Sequence, residues 1–111
     1  LYSQASGELA KLVQGAGIPV CETQGGKSSL SDDHPLNMAA VGVTGTSAAN
    51  RLAEEADVVL AVGTRLQDFT TGSWALFKNA GRTIIGLNTQ VFDAGKHWAL
   101  PLVADAAEGL A

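Results

Sequence analysis

Apolar positions change their period several times along the chain, and each change marks an element. From Ser3 to about Gln14, Ala5, Leu9, Leu12, Val13 and Ala16 recur at helical spacing while Gln4, Glu8 and Lys11 fall off the stripe, which predicts a helix ended by Gly15 and Gly17. Pro19 to Thr23 is a short strand candidate, with the proline at its start. Gln24 to Asn37 is polar and rich in Gly, Ser and Asp, as a loop is. Met38 to Val43 is apolar but small, and its pattern selects no element. Ser47 to Ala56 predicts a helix burying Ala48, Ala49, Leu52, Ala53 and Ala56, after a Gly42–Ser47 turn that supplies an N-cap hydroxyl. Asp57 to Val62 is continuous and β-branched, the pattern of a strand covered on both faces. Thr64 to Ser73 reads as a loop, Trp74 to Lys78 as one helical turn, and Thr83 to Leu87 as a second buried strand. Asn88 to Trp98 is loop or short helix, Leu100 to Val103 a third short strand, and Asp105 to Leu110 a helix.

Strands alternating with helices, with apolar runs on both faces, predict an α/β, doubly wound, mainly parallel sheet of the Rossmann-like kind. The 111 residues fit a single domain, 1–111. Doubly wound domains normally open with a strand whose helix crosses back over the sheet, but this sequence opens on a helix. The expectation is a sheet lacking its first strand. The start at Leu1 without Met and the short final helix point the same way. A sheet so built has an unfilled slot or a raw edge, which predicts dimerisation or strand exchange.

Composition narrows the function classes. Hydrophobic residues make up 46% and aromatics 5%, so a core exists and rests on aliphatic side chains. A net charge of −4 leaves no basic footprint for nucleic acid or a membrane surface. No apolar stretch approaches a membrane span, and no signal peptide is visible. One cysteine, Cys21, excludes an internal disulfide framework and suits a reducing cytoplasm.

Candidate chemistry is sparse. Glycines before a helix start, as in Gly42 to Ser47, suit a phosphate through free amides and the helix dipole, although an ordinary capped turn has the same sequence. The loop Gly63 to Gly72 follows the strongest strand, where open parallel sheets bind ligands. Arg65 there either grips a phosphate or carboxylate, or pairs with Asp68 or Asp93, or packs on a neighbouring domain. His34, beside Asp32 and Asp33, is read as a solvated loop residue, and His97 as a surface or interdomain contact. Cys21 is read as a buried inert thiol and the Glu54-Glu55 pair as solvated. There is no nucleophile elbow, no metal cluster and no Gly-Asp-Gly diphosphate–metal motif, so no catalytic residue and no metal ligand is assigned.

Three blocks in order carry a resemblance: Gly42-Val-Thr-Gly-Thr-Ser-Ala-Ala-Asn50, Ala56-Asp-Val-Val-Leu-Ala-Val-Gly-Thr-Arg-Leu66, and Ile85-Gly-Leu-Asn-Thr-Gln-Val-Phe-Asp-Ala-Gly-Lys96. Together with Leu102–Ala106 they resemble the central domain of thiamine-diphosphate enzymes of the acetolactate synthase type. Glu22-Thr-Gln-Gly-Gly-Lys27 and Gly63-Thr-Arg-Leu-Gln-Asp-Phe-Thr-Thr-Gly-Ser-Trp74 are most similar to a branch that hydrolyses a C–C bond of a cyclic dione in myo-inositol breakdown. The resemblance implies a framework domain, inactive alone, in a parent that uses thiamine diphosphate and Mg²⁺ bound outside this segment. It implies flanking cofactor-binding domains as partners, and a homo-oligomer. Some relatives bind FAD or ADP in this domain. Carried over, those contacts fall on Gly45, Thr46, Gly63, Thr64, Arg65 and Asn88. The family's acidic pair is here Asn88 and Gln90, which disfavours a nucleotide because a ribose hydroxyl prefers a carboxylate. The rival readings are a stand-alone FAD, ADP or NAD module, a pure interaction module, and a lyase of the acetolactate synthase kind.

Overall fold

The computed structural model describes residues 3–77 and 81–111. Helix α1 (Ser6–Ala16) begins after Gln4, whose φ of 52° is not helical, and runs through Gly15. Gly17 ends it, in the left-handed conformation, with its N–H on the Val13 carbonyl. The helix thus starts a few residues later than the expected Ser3, and one of the two expected stops is passed over.

Strands β1 (Val20–Glu22) and β2 (Asn37–Ala40) pair in parallel. Strand β2 occupies the segment whose pattern selects nothing. Its side chains are small, and Ala39 has a φ of 66°, so neither alternation nor β-propensity marks it. Helix α2 (Ser47–Glu55) is capped by Thr46, whose hydroxyl oxygen accepts the Ala49 N–H at 3.1 Å and donates to the Met38 carbonyl at 2.8 Å. Ala49 and Ala53, one turn apart, face the core. Ala48 is exposed, not buried as its apolar character suggests, because it lies off that stripe.

Strands β3 (Val58–Val62), β4 (Thr83–Asn88) and β5 (Leu100–Val103) form a second parallel sheet in the order β3-β4-β5. Between them lie helix α3 (Asp68–Thr71), a 3-10 turn at Ala75–Phe77, helix α4 (Val91–Ala94) and a 3-10 turn at Lys96–Trp98. Helix α5 (Ala106–Leu110) follows β5. The expected loop at Thr64 to Ser73 therefore contains a helical turn. Part of the expected turn at Trp74 to Lys78 forms, and Lys78 lies outside the described residues.

Both sheets are parallel and helices interleave the strands, which bears out the doubly wound α/β reading. One expectation fails. The continuous apolar run of β3 predicts cover on both faces, yet Val58 is 60% and Leu60 39% exposed. Their neighbours Val59 and Ala61 point to the opposite face and pack with Ile84, Leu66 and Ala99. A second cluster gathers Val41, Ala49, Ala53, Leu76 and Phe77, with Cys21 and Met38 against it. Gly86 lets the two layers close, since a side chain there would meet the backbone of Ala94.

Arg82 joins the layers. Its guanidinium donates to the carbonyls of Glu54 at 2.9 Å, Ala56 at 2.8 Å and Leu76 at 3.2 Å, and lies over the Phe77 ring. The carbonyls at the end of α2 need donors, and a cation there also suits the helix dipole.

Candidate functional site

Three segments meet where the strands end. The turn after β2 and the loop after β3 are tied by the Val43 N–H on the Phe69 carbonyl at 2.9 Å. Gly42 sits at the junction with a φ of 116°, and any side chain would strike the backbone of Phe69 and Thr70. The loop after β3 and the end of β4 are tied by Asn88, whose amide donates to the Thr64 carbonyl at 3.3 Å. The structure therefore brings Gly63, Thr64 and Asn88 together directly, whereas Gly45 and Thr46 lie in the turn that Val43 ties to the Phe69 carbonyl and bond only within that turn and to β2 and α2.

The turn at Gly42 to Thr46 spends its amides on the protein. Gly42 donates to the Asn50 side chain at 2.9 Å, Gly45 to the Gly42 carbonyl at 3.0 Å, and Thr46 to the Ala40 carbonyl at 2.8 Å. Asn50 returns a bond to the Gly42 carbonyl at 3.0 Å. Amides so engaged are not free to cradle a phosphate, and the capped-turn alternative describes these contacts.

Arg65 is exposed and forms no ion pair with Asp68 or Asp93 among the described residues. Its carbonyl accepts from Lys96 Nζ at 2.9 Å, which pins the loop from the α4 side. The neutral Asn88 has a physical reason here. Its NH₂ group donates to a carbonyl while its Oδ1 accepts the Gln90 N–H at 3.0 Å, and an ionised carboxylate could make only the second bond.

His34 is half-buried rather than free in a loop, and its Nδ1 accepts the Leu36 N–H at 3.1 Å. His97, expected as a surface or interdomain contact, stacks on Trp74 with ring centroids 3.9 Å apart, and its Nε2 is buried without a partner among the described residues. Its backbone φ is 57°. Cys21, read as a buried inert thiol, is half-buried; burial pushes its thiol up to about 11, and Sγ lies 3.8 Å from the Ala49 carbonyl. Glu54 and Glu55 are exposed, with Glu55 paired to Arg51 at 3.0 Å.

Glu22 is a residue that sequence reasoning misses. It is buried, and its carboxylate accepts the amides of Ser28 and Leu30 at 3.3 Å each and the Asn37 side chain at 3.5 Å. It organises the loop from Thr23 to Leu36 from inside. A charged residue at the end of a short apolar strand is the available signal.

Among the described residues no three His, Cys, Asp or Glu side chains gather closely enough to hold a metal ion. The donors here do not fit a diphosphate–metal site. No described helix is long and apolar enough to cross a membrane.

Comparison with known proteins is consistent with this geometry. The family model for the central domain of thiamine pyrophosphate enzymes matches residues 1–111. A 3D-(3,5/4)-trihydroxycyclohexane-1,2-dione hydrolase of Clostridium perfringens (strain 13 / Type A) is 46% identical over 105 residues, 95% of this chain and 16% of that protein. The hydrolase 2 of the same name from Bacillus cereus is 45% identical over 109 residues, 98% of this chain and 17% of that protein. The chain thus spans about a sixth of the length of the curated relatives it matches. Two parallel sheets, loops converging at the strand ends and a match along the whole chain lead to one assignment: the chain belongs to the central-domain family of thiamine pyrophosphate enzymes.

Proposed function

We propose that this chain is the framework of a thiamine-diphosphate-dependent hydrolase that opens trihydroxycyclohexane-1,2-dione to 5-deoxyglucuronate. The observation that carries this reading is the 45–46% identity to hydrolases of that name over 95–98% of the chain. Flanking domains of the longer polypeptide would hold thiamine diphosphate and Mg²⁺, which would supply the nucleophilic chemistry that C–C cleavage needs. The residues of this chain hold and orient those domains. The Gly63–Trp74 loop, pinned by Lys96 and by Asn88, presents Arg65 and Phe69 outward for such contacts. The parent works as a cytoplasmic homo-oligomer. Gly45, Thr46, Gly63, Thr64, Arg65 and Asn88 shape the loops and hold no nucleotide.

The test is an NMR assay on the longer polypeptide with thiamine diphosphate and Mg²⁺. Consumption of the cyclic dione with appearance of the open-chain acid is expected. Turnover of pyruvate to acetolactate, with the dione untouched, would replace this reading with the lyase.

A further inference from the structure

Backbone strain gathers in one region. Eight described residues other than glycine have a φ between 49° and 72°, and five of them are Leu66, Ser73, Trp74, His97 and Trp98. The first three lie in the loop after β3, and the last two in the turn before β5. In the left-handed region an L side chain crowds its own backbone, and a bulky residue stays there only where other contacts hold it. His97 carries a further cost, since its Nε2 is buried with no partner among the described residues. Trp98 has no packing to offset its conformation, because its side chain is fully exposed.

Three contacts join the two segments. Trp74 stacks on His97 with centroids 3.9 Å apart, and lies in turn beside Phe77 at 5.5 Å. Lys96 donates to the Arg65 carbonyl at 2.9 Å. Leu66 and Ala99 are buried in one cluster, with Trp74 packed against it. Each segment thus keeps its strained form through the other. Release of one relaxes both, because the left-handed residues return to ordinary backbone and His97 Nε2 reaches water. Strain set against a small group of contacts gives two discrete arrangements rather than a continuous range. The ladders of β3, β4 and β5 stand apart from this balance, since their backbone pairs lie outside both segments.

We propose that Lys96–Trp98 is a strained strap latched by the Trp74–His97 stack, and that strap and Gly63–Trp74 loop open together as one local unit while the sheet stays intact. The consequence falls on Arg65 and Phe69, the exposed residues that this loop carries. The state of the latch sets their positions, so a neighbouring domain that grips them binds one state in preference to the other. The inference rests on the backbone and the stack, not on the activity of the parent.

Amide exchange of the longer polypeptide, read by mass spectrometry, tests it. The reporter is a peptide covering residues 66–77, which contains none of the substituted positions. His97→Ala removes the latch and should quicken exchange there about 10-fold or more, with peptides covering 58–62 and 83–88 unchanged. Unchanged exchange at 66–77 overturns the proposal. Equal quickening in the strands does so too, since the stack would then be ordinary core packing. A second pair of variants decides the matter where His97→Ala does not fold. Trp98→Ala and Trp98→Gly both remove the side chain, but only glycine removes the penalty of the left-handed backbone. Exchange at 66–77 should be about 5-fold slower in Trp98→Gly than in Trp98→Ala. Equal rates in the two, or faster exchange in the glycine variant, overturn the proposal.

Discussion

The two sheets differ in what holds them. In the β3-β4-β5 sheet, registered pairs run unbroken from Val58↔Thr83 to Val62↔Leu87, and β5 continues the ladder from Ile85↔Leu100 to Asn88↔Val103. In the β1-β2 sheet the pairs are Val20↔Asn37 and Glu22↔Ala40, the register shifts between them, and a polar network adds to the short ladder. Glu22 and Asn37 bind the loop between the strands, and Thr46 bonds β2 through the Met38 carbonyl. The larger sheet rests on long unbroken backbone pairing and buried aliphatic groups, while the smaller has a short ladder that side-chain hydrogen bonds reinforce. Damage to the first should act through volume, and damage to the second through unsatisfied polar groups.

Leu87, 1% exposed near the end of the central strand β4, is the sharpest probe of the larger sheet. Leu87→Ala should cost about 3–4 kcal/mol in urea unfolding, the sum of lost transfer energy and residual cavity. A cost under about 1 kcal/mol would mean that the aliphatic core is not what holds this sheet. Arg82 is the link between the layers, so Arg82→Ala should cost about 2–3 kcal/mol and fray the end of α2 in amide exchange. Arg82→Lys should recover little, because one ammonium cannot reach three carbonyls in fixed fork geometry.

In the smaller sheet, Glu22→Ala leaves the buried Leu30 amide and the Ser28 amide without that acceptor and should cost about 2 kcal/mol. Exchange should quicken first between Thr23 and Asn37, leaving β3 and β4 unchanged. Thr46→Ala should cost about 1 kcal/mol through loss of the α2 cap.

The smallest effect concerns Cys21. Its thiol is raised from 9.0 to about 11 by burial. Folding favours the neutral form, so that stabilisation is complete below about pH 9 and is lost as pH climbs towards 11. At pH 8 the folded chain should react with iodoacetamide roughly 100-fold more slowly than the denatured chain, in proportion to its thiolate. Equal rates would place Cys21 in the open.

Legibility follows the same division. The larger sheet is readable because β3 and β4 are long aliphatic runs and α2 carries a helical stripe with a hydroxyl cap. The Gly63 loop is readable because it follows β3, and the Gly42 turn because its glycines precede the capped α2. Strand β2 is not, since Asn37-Met-Ala-Ala40 has too little side chain to declare a period. Glu22, Arg82 and His97 escape for another reason. Their roles depend on partners such as Leu30, Glu54 and Trp74, which no local pattern couples to them. The exposure of Val58 and Leu60 is hidden too, because a continuous apolar run reports what a strand is suited to meet, not what meets it.

At the centre of the account is the claim that these residues build a scaffold and leave the cofactor to others. Calorimetric titration of thiamine diphosphate with Mg²⁺ into the 111-residue chain tests it most directly. No saturable heat is the predicted result, and one-to-one binding at micromolar affinity would contradict it.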